Sequence, residues 1–216
     1  YPRTLAADVA ALEGLGVDAV YAPSAEDMYP SGPPRIVLDP GELGQRFEGA
    51  VRPGHFRGVL TVVAKLLART GARAAVFGEK DAQQLALVRR MVHDLDLGVK
   101  ILAAPTRRDD DGLALSSRNA YLSRAERAEA LALPRAIAAG AAAAAAGLGA
   151  AAVRQVARDA FGRGAAPTLP EYMDLVAPKT FEPVGETWSG EALLIGARKA
   201  GSTRLIDNAR VLVAPR

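Results

Sequence analysis

Two polar clusters hold the side chains with which an α/β protein would handle phosphates. The first is Gly78-Glu79-Lys80-Asp81, followed by Gln83 and Gln84. The second is Leu115-Ser116-Ser117-Arg118-Asn119. A lysine just after a strand and just before a helix is a mobile point charge for phosphate oxygens, and the helix N-terminus adds backbone N–H donors. Asp81 either caps that helix or helps hold a magnesium ion, which takes few carboxylates together with phosphate and water. Arg118 beside two serine hydroxyls adds a planar fork of donors. Taken singly, each cluster also has a plainer reading, as a solvated turn that caps a helix.

His55 and His93 are the only two histidines, and residues so far apart in sequence make no metal-ligand signature. His93 falls near the end of a predicted helix, a surface position. His55 follows Arg52-Pro53-Gly54, so that it and Arg52 can face an anion. Asp109–Asp111 cannot all address one ion and reads as a solvated acidic turn. There is no Walker loop and no Gly-x-Gly-x-x-Gly.

The elements around these residues follow from apolar spacing. Thr4 is a cap for a helix with Leu5, Val9 and Leu12 on one face, and Val17–Ala22 reads as a strand. Residues 23–35 form a loop or a very short helix, and Arg35–Leu38 a small edge strand. Helical spacing runs from His55 to about Ala68 and ends at Gly71. Ala74–Phe77 is a short apolar run between glycines, as in a buried parallel strand. Leu85, Val88, Val92 and Leu95 share a helical face, and Val99–Ala104 is a further strand. The alternation implies a parallel sheet with right-handed crossovers. Ligands then bind outside the carboxyl ends of the strands, at loops 23–32, 78–84 and 105–119.

Beyond residue 106 the pattern changes, which places a domain boundary there, between 1–106 and 107–216. Ser123 and Glu126 form a capping box opening a helix that Pro134 should kink. The alanine-rich 138–152 leads to a second helix ending near Phe161. Apolar runs at Tyr172–Val176, Leu193–Ala197 and Thr203–Ile206 suggest a small antiparallel sheet.

At 216 residues and 50% hydrophobic content, the chain can bury a main core and a smaller second one. The excess of 27 Lys+Arg over 24 Asp+Glu is slight, and with five Phe, five Tyr and one Trp there is little surface on which bases could stack. Nucleic-acid binding is therefore not the expectation. Cysteine is absent, which excludes disulfides and thiolate chemistry and suits a cytoplasmic location. No apolar run is seen to reach the ~18 residues of a membrane helix.

In order along the chain, these residues resemble the pantoate–β-alanine ligases, a nucleotidyltransferase family. The likeness includes Tyr1-Pro2-Arg3-Thr4, Met28-Tyr29-Pro30, Glu48-Gly49, Arg52-Pro53-Gly54-His55-Phe56 and Gly58–Val63. It continues through both polar clusters, Asp111-Gly112-Leu113-Ala114, and Thr203-Arg204-Leu205-Ile206-Asp207-Asn208. The resemblance implies a Rossmann-like parallel-sheet domain followed by a smaller α+β lid. It also implies condensation of pantoate with β-alanine through a pantoyl adenylate, using ATP and Mg2+, by a cytoplasmic homodimer with no nucleic-acid or membrane partner.

By the same resemblance Gly78, Glu79, Lys80, Asp81, Arg107, Leu115, Ser116, Ser117 and Arg118 bind ATP, with Lys80, Ser116, Ser117 and Arg118 assisting catalysis. Asp81 is the metal ligand, Gln84 binds pantoate, and Arg52 and His55 lie near the substrates or a dimer contact. Leu115 stands where the family usually has methionine, and Arg107 where it has an apolar residue. The family's His-x-Gly-His and Asn-Pro-x-Gln-Phe segments are not in this sequence, so the expectation for the 216-residue chain alone is little or no ligase activity. Another nucleotidyltransferase of this fold, or an inactive fragment that binds nucleotide or a partner subunit, stays open as an alternative.

Overall fold

The computed structural model describes residues 4–162 and 169–215; Tyr1-Pro2-Arg3, part of the resemblance, lies outside them. The chain opens with α1 (Leu5–Gly14), the short α2 (Ala25–Met28) and α3 (Glu48–Val51). Then come α4 (His55–Thr70), β1 (Ala74–Gly78), α5 (Ala82–Asp94) and β2 (Lys100–Ala104). β1 and β2 pair in parallel, from Ala74 opposite Lys100 to Gly78 opposite Ala104. Leu60 and Leu67 of α4 and Leu87, Val88 and Met91 of α5 form a core against Ala75, Phe77 and Ile101. Gly71, at φ 60°, ends α4 in the left-handed conformation that a residue lacking Cβ adopts without strain.

Two expected strands do not form. Residues 17–22 are irregular, and Val17, Val20 and Tyr21 are exposed. An apolar run becomes a strand only when a neighbour takes up its backbone N–H and C=O groups, and no described strand lies beside this one. At 35–38 the Leu38 amide donates instead to Thr61 Oγ1 of α4, at 3.1 Å. Thr4 also departs from expectation: its hydroxyl meets the Asp8 carboxylate at 3.2 Å and caps no backbone group.

The second half packs α6 (Arg124–Ala130), α7 (Ala132–Ala145) and α8 (Ala150–Gly162) on an antiparallel sheet. Its strands are β3 (Tyr172–Val176), β4 (Gly190–Ala200) and β5 (Thr203–Val213), in that order. β4 and β5 run longer than their apolar cores suggest because Arg198, Asp207 and Asn208 interrupt the apolar pattern yet find partners inside the fold. The capping box forms, with the Ser123 amide on Glu126 at 2.8 Å and the Glu126 amide on Ser123 at 3.2 Å. The break attributed to Pro134 falls at Leu131, between α6 and α7. A proline ring clashes with the carbonyl four residues earlier, here that of Ala130, so the helix yields there and Pro134 sits in the first turn of α7.

The alanine tract is a close-packing surface. A Cβ added at Gly140 would lie 2.4 Å from Leu194 Cδ2 and 3.0 Å from Ala157 Cβ. Contrary to the sequence expectation, Arg124–Ala145 is long and apolar enough to cross a membrane by length and composition alone. In the fold, however, Ala130, Leu133, Ala136 and Ile137 are buried in the core shared with β4 and β5. A third cluster joins the two halves: Ala86 of α5 with Val176, Phe181, Leu193 and Ile195. Phe47 stacks edge-on against Tyr172 and Phe181, at 5.1 and 5.9 Å between ring centres.

Candidate active site

β1 delivers the chain to Gly78, and Glu79–Asp81 makes one tight turn into α5. Lys80 thus stands at the carboxyl end of a parallel strand, where open α/β sheets bind ligands. Its side chain is 20% exposed, and its Nζ lies 3.9 Å from Asp81 Oδ2, a contact that leaves the charge free to meet an anion. The two glutamines that follow divide their work. Gln83 is buried, accepting from the Glu48 amide at 3.1 Å and donating to the carbonyls of Leu43 (2.8 Å) and Arg46 (2.9 Å). Those bonds hold the segment before α3 against α5. Gln84 faces a narrow cleft whose wall it shares with Lys80, Asp81, Arg52 and His55.

Arg52 Nη1 lies 2.9 Å from His55 Nε2. A guanidinium can only donate, so Nε2 accepts and the imidazole is neutral. Burial, and after it the charge of Arg52, pushes the His55 pKa below its ordinary 6.5. Burial and the charge of Arg118 lower Arg52 as well. Arg118 also lowers His55, so three basic side chains gather on one side of the cleft. The His55 ring protons are expected to titrate by NMR with a midpoint below 6.5, and Arg52→Ala to move that midpoint upward. A base depressed in the folded state takes its proton more readily when unfolded, so this group subtracts stability as pH drops below 6.5 and the native protein should unfold more easily there. A wild-type midpoint at or above 6.5 would contradict the geometry.

The remaining candidates are not in the wall of this cleft. Gly78 ends β1, and Glu79 lines a neighbouring cavity with Arg89 and Arg210. Leu115 is half exposed, and its amide donates to the carbonyl of the exposed Arg107 at 2.8 Å. Ser116 caps a short 3-10 helix, Ser117–Tyr121, by accepting from the Arg118 amide at 3.3 Å. Asn119 donates to the Ala114 carbonyl at 3.0 Å, so it fits the turn-residue reading. Asp109 and Asp111 both pair with Arg127, at 2.6 and 2.7 Å. Loop 23–32 is tied to α4, through Arg69 on the Asp27 carbonyl at 2.6 Å and Lys65 over the Tyr29 ring.

Among the described residues no group of three or more His, Asp or Glu side chains could hold a metal. Of the acids in the cleft wall, Glu48 is engaged by Arg204 and Tyr172, and Asp207 by Arg108. Asp81, half exposed, has the loose contact with Lys80. The donor set therefore fits an ion that arrives with phosphate oxygens, and does not fit a resident metal held by protein alone.

Sequence reasoning assigned no role to Glu48, Tyr172, Arg204, Asp207 or Asn208. Tyr172 donates to Glu48 Oε1 at 2.7 Å, and Arg204 contacts Glu48 Oε2 and reaches Glu171 at 2.5 Å. Burial first, then the Glu48 carboxylate, pushes the Tyr172 phenol well above its usual range, so it stays a donor. The signal was present: charged residues inside apolar strand runs are retained only when paired.

A cleft with Lys80, Arg52 and an amide in its wall, near the carboxyl end of a parallel strand and beside an α+β unit, is that of an α/β enzyme. The chain belongs to the pantoate–β-alanine ligase family, whose model matches residues 1–210, and so is a ligase of pantothenate biosynthesis. A pantothenate synthetase of Acidothermus cellulolyticus is 55% identical over 96% of this chain and 69% of its own length. One from Thermobifida fusca is 51% identical, over 96% of this chain and 72% of that protein. The crystal structure of pantothenate synthetase from Thermus thermophilus superposes with a TM-score of 0.91 at 44% identity, covering 100% of this chain and 76% of that one. A pantoate–β-alanine ligase from Francisella tularensis, complexed with β-γ ATP and β-alanine, superposes with a TM-score of 0.72 at 30% identity, covering 97% and 70%.

Proposed function

We propose that this ligase couples pantoate to β-alanine through a pantoyl adenylate. A pantoate carboxylate oxygen attacks the α-phosphorus of ATP and pyrophosphate departs. The β-alanine amine then attacks the acyl carbon, AMP leaves with the bonding pair, and the amine gives up a proton. Activation is needed because a bare carboxylate is a poor acyl donor, and the protein's part is positioning and charge stabilisation.

In this reading Lys80 sits against the phosphates, and Arg118 with Ser116 and Ser117 closes on them from the second loop. Gly78, Glu79, Arg107 and Leu115 complete the nucleotide contacts. Gln84 donates to the pantoate carboxylate and accepts from a hydroxyl, a task that suits an amide because its NH2 donates and its oxygen accepts. Arg52 and His55 face a substrate carboxylate. Asp81 holds Mg2+, which when bound neutralises phosphate charge. Residues 1–106 form the nucleotide-binding domain and 107–216 its lid, in a cytoplasmic homodimer.

The observation that carries the proposal is the shared cleft of Lys80, Asp81 and Gln84 with Arg52 and His55. The Francisella relative, complexed with β-γ ATP and β-alanine, supports the choice of nucleotide and amine. With the product of the whole reading frame, labelled pyrophosphate should exchange into ATP when pantoate is present and β-alanine is not. Exchange that required β-alanine would rule out a free adenylation step.

A further inference from the structure

One strand of the C-terminal sheet fastens both loops that hold the polar clusters. The Asn208 side chain on β5 donates through Nδ2 to two carbonyls at once, those of Glu79 and Lys80, each at 2.9 Å. These carbonyls belong to the single turn between β1 and α5. Successive residues of a strand point to opposite faces, and the preceding residue works on the other side. There Asp207, buried at 3% exposure, accepts two bonds from Arg108, at 2.7 and 2.8 Å. Arg108 lies in the loop that leads to Ser116–Arg118. Asp207 Oδ1 also accepts the Asn208 amide at 2.8 Å, which links the two attachments. Earlier on the strand, the Arg204 carbonyl takes Arg118 Nη1 at 3.4 Å.

We propose that Asn208 is a positioning residue for the ligase reaction. It fixes the peptide planes on either side of Lys80 and so sets the direction in which the ammonium enters the cleft. The reasoning is geometric. A lysine has a four-carbon stem with many rotamers, so its reach is defined only as well as its backbone is held. A misplacement of about 1 Å can cost about 100-fold in a reaction that depends on alignment. The residue type also fits, since two carbonyls converge and need N–H donors from one short planar group. A carboxylate of the same shape would set oxygen lone pairs against both carbonyls. Asp207 with Arg108 does the matching task for the second loop, so β5 sets the distance between Lys80 and Arg118.

This inference rests on the reading of Lys80 as the phosphate-binding cation, and the test keeps the two apart. Mg-ATP affinity is measured by calorimetry for wild type, Asn208→Asp, Asn208→Ala and Lys80→Ala, with amide hydrogen exchange followed by segment. Asn208→Asp is expected to weaken Mg-ATP binding by about tenfold, the loss of charge-sensitive bonding to a misdirected lysine. Exchange should quicken at 79–82 while β3, β4 and the far end of β5 keep their protection. Asn208→Ala, which adds no charge, should shift both readouts the same way and less far.

Wild-type affinity in both Asn208 variants, with weak binding by Lys80→Ala, would overturn the positioning role and leave the phosphate site standing. Wild-type affinity in Lys80→Ala would remove the phosphate reading and this inference with it. Faster exchange throughout β3–β5 in the Asn208 variants would mark a general loss of structure and would also overturn the proposal.

Discussion

Lys80→Ala is expected to weaken Mg-ATP binding by about 10- to 100-fold while leaving pantoate binding in place, the range for losing a hydrogen bond to a charged group. The Lys80 side chain is only 20% exposed, so packing along its stem limits where the ammonium can point. Its ion-pair partner, Asp81, is 3.9 Å away and half exposed, too loose a contact to quench the charge. Lys80→Arg should restore only part of the affinity, because a planar fork replaces a compact charge at a site aligned by its backbone. Calorimetry with each ligand separately decides the matter. Equal ATP affinity in wild type and Lys80→Ala would end the phosphate role, whatever becomes of pantoate.

The legibility of this site in sequence was uneven, for physical reasons. The place of Lys80 was readable because local pattern decides it: a short apolar run, a glycine and a helix put it at a strand end, whereas Gln84 was singled out by the family resemblance alone. Gln83 and Gln84 look alike in sequence, and only the packing of residues 43–48 on α5 gives one a structural bond set and the other the cleft. Val17–Ala22 and Arg35–Leu38 have strand composition, but strand formation depends on a neighbour that local sequence does not reveal. β4 and β5 were seen as short pieces because their polar residues break the alternation, and those residues are paired over long separations. Arg108 finds Asp207 and Glu48 finds Arg204 across the molecule, where no spacing rule applies. The second loop shows the same limit, since its serines and arginine were singled out while the bond from Arg118 to β5 was not foreseen.

Arg204→Met is expected to cost about 3–5 kcal/mol of stability, because removing one partner of a buried ion pair strands the other. The Arg204 side chain is 10% exposed and that of Glu48 11%, while Glu171 stays more open at 27%. Burial by itself disfavours the Arg204 charge, but the bonds and charges of Glu48 and Glu171 outweigh it and push its pKa up. With methionine there, Glu48 retains the Tyr172 hydroxyl at 2.7 Å and no cation in contact. The damage would fall on the seam between the halves, since Glu48 precedes β1 and Tyr172 opens β3 beside Phe47. Urea titration of the variant should show a lower midpoint, and Glu48→Gln in the same background should recover part of the loss. That recovery separates a stranded charge from lost packing: a double-mutant coupling of about 0.5–3 kcal/mol marks the charge, and additive effects would mean that the arginine's stem contributes more than its guanidinium.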